Sequence, residues 1–200
     1  MSRARTLLIW AVPATAIAIA LAAAAASPLL AWRDPVYIGA SFAGIVALAL
    51  LLVQPLLARH YLPGLRPLQG RRVHRIIGCL LVIAVVAHVA GLWLTSPPDV
   101  IDALLLSSPT PFSVWGVVAM WALFATALLA LFRRRLAARL WLRGHKTFAV
   151  VIVVGSVVHA LLIEGTMETL SKTVLCALVV VATAFAVLDL RLSARRPKPR

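Results

Sequence analysis

Residues 71–93, RRVHRIIGCLLVIAVVAHVAGLW, and residues 143–162, RGHKTFAVVIVVGSVVHALL, decide the fold, because each carries two equally spaced histidines inside an apolar run. His74 and His88 lie fourteen residues apart, and so do His145 and His159. On an α-helix, fourteen residues rise about 21 Å and end about 40° short of four full turns, so both histidines of a pair share one face. The pattern predicts two helices that each present one imidazole near either end of an apolar span.

The composition predicts an integral membrane protein. Hydrophobic residues make up 62% of the 200 residues, charged residues make up 13%, and the mean hydropathy is +1.00. A span needs about 20 apolar residues, so the chain has room for about six helices and for no separate soluble domain. The formal charge of +14 would suggest nucleic-acid binding in a soluble protein, but here the basic residues fall in alternate loops, which excludes that class.

Six apolar stretches predict an all-α bundle of six transmembrane helices. A further segment, DVIDALLL, is too short to cross and predicts a helix along the membrane surface. The basic C-terminal tail, 191–200, is predicted to be disordered. The first helix resembles a signal peptide, but its apolar stretch is longer than usual and we expect it to stay uncleaved. The predicted spans are approximately 6–32, 36–58, 73–95, 114–132, 145–163 and 170–190.

The distribution of basic residues predicts that both termini are cytoplasmic. The N-terminus, the loops after spans two and four, and the tail hold 18 of the 20 Lys and Arg residues. The opposite side has Arg33 and Lys172 alone, together with five of the six acidic residues. This is the positive-inside pattern of a multi-pass protein of the plasma (inner) membrane. Spans three and five therefore run parallel to each other.

Parallel helices that face each other would form two layers of imidazoles, His74 opposite His145 and His88 opposite His159. Haem is a flat cofactor whose iron binds histidine above and below its plane, so each layer suits one haem. Alternatives are isolated polar residues that bond to neighbouring carbonyls or cap helix ends, and a transporter or channel component that uses histidines as proton or metal sites.

Small and basic residues near the histidines suit a porphyrin. Gly78, Gly91 and Gly155 each lie about one turn from a histidine and would let a flat ring approach the backbone, although glycines also serve helix packing. Candidate partners for haem propionates at the cytoplasmic layer are basic residues that membrane topology would place there in any case. These candidates are Arg71, Arg75 and Lys146, within a cluster that also holds Arg72 and Arg143.

The two H-x13-H pairs, with their HRIIG and GHK contexts, resemble the ferric reductase-like transmembrane domain family over about residues 37–190. That family includes metalloreductases, the membrane core of NADPH oxidases and the membrane haem subunit of the bacterial methionine sulfoxide reductase system. The resemblance implies two b-type haems, an inner one on His74 and His145 and an outer one on His88 and His159. It implies a haem-binding domain at 36–190, after a first helix in 1–35 and before the tail at 191–200.

The resemblance also implies a transmembrane electron carrier, either an oxidoreductase or the haem subunit of one. Family members with a flavin domain carry it after the last helix, and we expect no flavin site within this chain because it has no GxGxxG fingerprint. The expected donor is a separate cytoplasmic flavoprotein or a quinol. The expected acceptor on the outer face is ferric iron, oxygen or a periplasmic partner. A quinol-linked cytochrome with the opposite direction of transfer stays open.

Overall fold

A computed structural model of the chain describes residues 3–59 and 61–194, and within them all regular secondary structure is helical. Six of the helices are long and apolar enough to cross a membrane, as predicted. A short helix, Pro97–Leu104, overlaps the segment DVIDALLL that was predicted to lie along the membrane surface. The helices are α1 Arg3–Ala25, α2 Pro35–Ala58, α3 Pro67–Thr95, α4 Pro97–Leu104, α5 Pro111–Leu131, α6 Ala138–Leu162 and α7 Thr169–Ala194.

Prolines set the starts of four helices. α2, α3, α4 and α5 each have proline in their first turn, where the missing N–H costs no helical hydrogen bond. At α2 the carboxylate of Asp34 also accepts the backbone N–H of Val36 at 2.7 Å, which caps the helix.

The predicted first span, 6–32, is wrong at its C-terminal end. α1 stops at Ala25, and a 3₁₀ turn at Pro28–Leu30 follows. Proline disfavours a helical conformation in the residue before it, and the hydroxyl of Ser27 accepts the N–H of Leu29 instead. The extra apolar residues therefore form part of the connection to α2.

The two histidine-bearing helices begin earlier than predicted. α3 begins at Pro67 rather than near residue 73, and α6 begins at Ala138 rather than at residue 145. His74 and His145 therefore lie about two turns inside their helices, which removes the interpretation that they cap helix ends.

The bundle consists of two helical hairpins, α2–α3 and α5–α6, closed by α7. α7 packs against α2 and α6, and its Leu175 and Val179 have no exposed surface. α1 lies at the periphery against α2 and α7. We call the end with α4, Arg33 and Lys172 the α4 end, and the end where α3 and α6 begin the basic end.

α7 continues through the first four residues of the predicted tail, to residue 194. The remainder of the tail, 195–200, and the loop histidine His60 lie outside the described residues.

Candidate functional site

The structure brings the four spaced histidines together in the two predicted pairs. The ring centres of His74 and His145 lie 6.2 Å apart near the basic end, with 68° between the ring planes. Those of His88 and His159 lie 6.5 Å apart near the α4 end, with 80° between the planes. Their role as metal ligands stays a prediction.

Backbone carbonyls of the partner helices fix the rings at the α4 end. Nδ1 of His88 lies 2.7 Å from the carbonyl oxygen of Ala40 on α2, and Nδ1 of His159 lies 2.9 Å from that of Phe112 on α5. A carbonyl oxygen only accepts, so in each neutral ring Nδ1 carries the proton and donates it. Nε2 then keeps its lone pair, which is the state that binds a metal.

Two glycines that the sequence analysis missed make room for these rings. A Cβ on Gly44 of α2 would lie 3.0 Å from Nδ1 of His88, and one on Gly116 of α5 would lie 2.7 Å from Nδ1 of His159. Each glycine is four residues after the carbonyl that its histidine bonds, so both lie on the same face as that carbonyl. The hairpins α2–α3 and α5–α6 therefore build the same histidine seat, although the residues that supply the carbonyl, Ala40 and Phe112, share no sequence signal.

Two of the glycines named from the sequence have a different role. A Cβ on Gly91 would lie 2.7 Å from Cβ of Ala40, and one on Gly155 would lie 2.9 Å from the carbonyl oxygen of Trp115. Both positions are close helix–helix contacts within the hairpins, which is the packing alternative. Gly78 faces the side-chain nitrogen of Gln54, at 3.2 Å from its would-be Cβ.

The pair at the basic end is held differently. Nδ1 of His74 and Nδ1 of His145 are both buried and have no hydrogen-bond partner among the described residues. The Trp141 ring stacks on His145, with ring centres 5.4 Å apart and 11° between planes. The Gln54 amide donates a long hydrogen bond of 3.4 Å to the carbonyl oxygen of His74, while its own Oε1 is buried without a described partner. Buried polar atoms usually have a hydrogen-bond partner, so the Nδ1 positions at this layer are supported less fully by the described residues than those at the α4 end.

A cavity of about 770 Å³ lies at the α4 end and is lined by both His88 and His159. This volume falls within the range of small-molecule and cofactor sites. Its walls are largely apolar and include Ile45, Leu81 and Ile152, whereas its rim near α4 carries polar side chains. The histidine seats Gly44 and Gly116 line the same cavity.

The donor set fits haem. Metal–imidazole bonds are about 2 Å long, so two nitrogens on opposite sides of one metal lie about 4 Å apart and their ring centres about 6 Å. Both observed separations agree with this value. Among the described residues, no group of three His, Cys, Asp or Glu side chains is placed to hold a bare metal ion. Two imidazoles suffice when the cofactor supplies the other ligands, as the four nitrogens of a porphyrin do.

The predicted propionate partners lie around the layer at the basic end. Arg71 and Arg75 are exposed and Lys146 is half-buried. Arg75 and Lys146 each follow a histidine directly, which turns them about 100° away from it around the helix. They therefore flank the edge of the layer rather than its face. The structure adds Lys172, which the sequence analysis did not place in a site. It is buried and lines the cavity at the α4 end.

Comparison with protein families shows which family the chain belongs to. Residues 43–156 match the model of the ferric reductase like transmembrane component, over more than half of the chain. The chain belongs to this family. The match contains His74, His88, His145 and both histidine seats, and it ends three residues before His159, whereas the sequence resemblance extended to about residue 190. A search of curated proteins and a search of solved structures find no match. Membership indicates a role in electron transfer within a membrane, for a multi-pass protein.

Proposed function

We propose that this chain is a di-haem b electron-transfer protein of the plasma membrane, with His74 and His145 holding one haem and His88 and His159 the other. The single observation that carries the proposal is that both histidine pairs face each other at the separation that one bis-histidine metal requires. Family membership supports it. Haem would supply a one-electron carrier near each end of the bundle.

The chain's own residues would bind each haem, orient its histidines and shield it from water. At the α4 end, the Nδ1–H groups of His88 and His159 donate to carbonyl oxygens and hold the rings in one orientation, with Nε2 left to bind. A donated hydrogen bond of this kind makes the imidazole a stronger ligand. The largely apolar cavity walls would keep water away from a bound haem and lower the local dielectric constant, so that nearby charges would have a larger effect on its redox potential.

We propose that electrons move from the basic end to the α4 end. Basic residues concentrate at the basic end, which the positive-inside rule assigns to the cytoplasm together with both termini. We place the donor there, as a separate flavoprotein or a quinol. The acceptor then approaches the α4 end, as ferric iron, oxygen or a periplasmic reductase partner. Arg71, Arg75 and Lys146 are the candidate propionate partners at the basic end.

The alternative, a transporter or channel that uses the histidines for protons or metal ions, has less support. A proton relay needs rings that exchange partners, whereas the rings at the α4 end are each tied to a carbonyl and seated on a glycine.

The first experiment is an optical spectrum of the detergent-purified protein, oxidised and dithionite-reduced, with haem quantified per chain. We expect two b-type haems in the wild type and about one in His74→Ala or His88→Ala. His60→Ala is the matched control, because His60 belongs to neither spaced pair, and it should keep both haems. A colourless protein from haem-supplied cells would overturn the proposal and favour the transporter.

A further inference from the structure

Among the residues whose side-chain burial the structure describes, namely 4, 6–59 and 61–188, Lys172 is the one Asp, Glu, Lys or Arg residue that is buried. Its side chain is 6% exposed, although it lies in the first turn of α7 near the α4 end. Burial of an ammonium group in a low-dielectric environment is costly unless the charge is paired. A lysine at this position therefore requires a physical reason.

The contacts of Lys172 within the described chain satisfy only part of its ammonium group. Nζ donates one hydrogen bond, of 2.8 Å, to the carbonyl oxygen of Ile163 at the end of α6. It forms no ion pair with a described carboxylate, and Glu168, one turn earlier, instead accepts the backbone N–H groups of Leu170 and Ser171. Two of its three donors thus remain for another partner.

Capping of α6 explains the bond to Ile163 but not the burial. A cation near a helix C-terminus is favourable, and lysine commonly bonds the last carbonyls. An exposed lysine would do this at a lower desolvation cost, because its remaining donors would bind water. The burial of Lys172 is therefore a separate observation.

Lys172 lines the same cavity as His88 and His159. Ile163, which holds the ammonium group, follows His159 by four residues on α6, a rise of about 6 Å toward the α4 end. The ammonium group is thus about one helical turn beyond His159 along α6, a level that a side group on a flat cofactor held by His88 and His159 would reach. Arg33, the other basic residue at this end, also lines the cavity.

We propose that the ammonium group of Lys172 binds a carboxylate of the cofactor held by His88 and His159, namely a haem propionate that points toward the α4 end. The inference rests on the proposed function. An ionised carboxylate in an apolar cavity needs a charge partner as much as the buried ammonium does, so each removes the desolvation penalty of the other. Lys172 is then a binding residue of the outer haem, in a region where topology would otherwise exclude cations.

The test compares haem with its dimethyl ester, in which both propionates are uncharged. Apoprotein carrying His74→Ala, in which only the pair at the α4 end is intact, is titrated with each compound and followed by the Soret absorbance. With Lys172 present, we expect haem to bind about tenfold or more tightly than the ester. In Lys172→Gln, which keeps a hydrogen-bond donor for Ile163 but loses the charge, the difference should fall to about twofold or less. Lys172→Arg should restore it.

A redox titration of the full chain provides a second readout. Lys172→Gln should lower the midpoint potential of one haem and leave that of the other unchanged, because loss of a nearby cation disfavours the reduced state. Equal binding of haem and ester to the Lys172 chain, or a difference that survives Lys172→Gln, would overturn the inference and leave the proposed function intact. Equal binding is also the result expected if Lys172 binds an anion of the electron acceptor and not a haem propionate, and that result overturns the inference. Failure of the wild type to bind either compound would overturn both proposals.

Discussion

The histidine seats allow a sharp test, because substitution of Gly116 by alanine adds one methyl group against one imidazole. The new Cβ would lie 2.7 Å from Nδ1 and 2.9 Å from Cε1 of His159. Ordinary contacts between such atoms are about 3.5 Å or longer. The ring must therefore retreat by about 1 Å, or α5 and α6 must separate by a similar distance.

A displacement of this size is large compared with the tolerance of a metal–imidazole bond, which is about 0.2 Å. It would also stretch the 2.9 Å hydrogen bond from His159 to the carbonyl oxygen of Phe112. Loss of such supporting contacts typically lowers metal affinity by about 10- to 100-fold. We expect Gly116→Ala to lose most of one haem per chain. Gly44→Ala, whose Cβ would lie 3.0 Å from Nδ1 of His88, should lose less.

Gly39→Ala is the matched control. Gly39 lies on α2 five residues before Gly44, and a Cβ there would meet nothing within 4 Å. Alanine is favoured over glycine inside a helix by about 0.5–1 kcal/mol, so none of the three changes should weaken its helix through propensity. The assay is haem per chain and the low-spin spectrum after purification with haem supplied. Full occupancy and an unchanged spectrum in Gly116→Ala, or an equal loss in Gly39→Ala, would refute the reasoning.

Three further predictions concern packing, stacking and pH. Gly155→Ala would place Cβ 2.9 Å from the carbonyl oxygen of Trp115, so we expect it to destabilise the α5–α6 hairpin by about 1–3 kcal/mol, measured as a lower thermal midpoint than that of Gly39→Ala. Trp141→Leu removes the ring stacked on His145 and should perturb the spectrum of one haem and not the other; an unchanged spectrum would contradict this role. The pKa of Glu168 is lowered by the hydrogen bonds it accepts from the backbone N–H groups of Ser171 and Leu170. A lowered folded-state pKa stabilises the protein above the ordinary carboxyl pKa, and this stability is lost as the pH falls through the folded value. The thermal midpoint of Glu168→Ala should therefore fall less than that of the wild type as the pH is lowered. The same fall in both proteins would argue against a stabilising role of these hydrogen bonds.

The sequence predicted the architecture well because membrane insertion depends on short-range properties. Apolar runs of sufficient length give the spans, and the loops contain enough proline and charge to end them. The errors occurred at the boundaries. The apolar residues 26–32 extended the first span on hydropathy alone, whereas Pro28 ends helical structure there. The first turns of α3 and α6 were not predicted because they contain polar residues, and hydropathy detects only the part of a helix that lies in the apolar layer of the membrane.

The pairing of the histidines was predictable from the sequence, whereas the contacts that hold their rings were not. The fourteen-residue spacing and the parallel direction of the two helices were enough to pair His74 with His145 and His88 with His159. Gly44 and Gly116 escaped notice because their partners lie on another helix, 44 and 43 residues away along the chain. For Gly91 and Gly155 the sequence left both ring approach and helix packing open, because the neighbour that each glycine meets depends on how the two helices of its hairpin pack together.

The sequence by itself determined that this chain has six helices long and apolar enough to span a membrane, which histidines pair and which family it belongs to, because periodicity and hydropathy are local properties that persist in any packing. Only the tertiary structure decided which ring nitrogens are held by Ala40 and Phe112, where the cavity lies and that Lys172 is buried against it. These features depend on the distance and rotation between helices far apart in the chain, and no residue pattern within one helix specifies them.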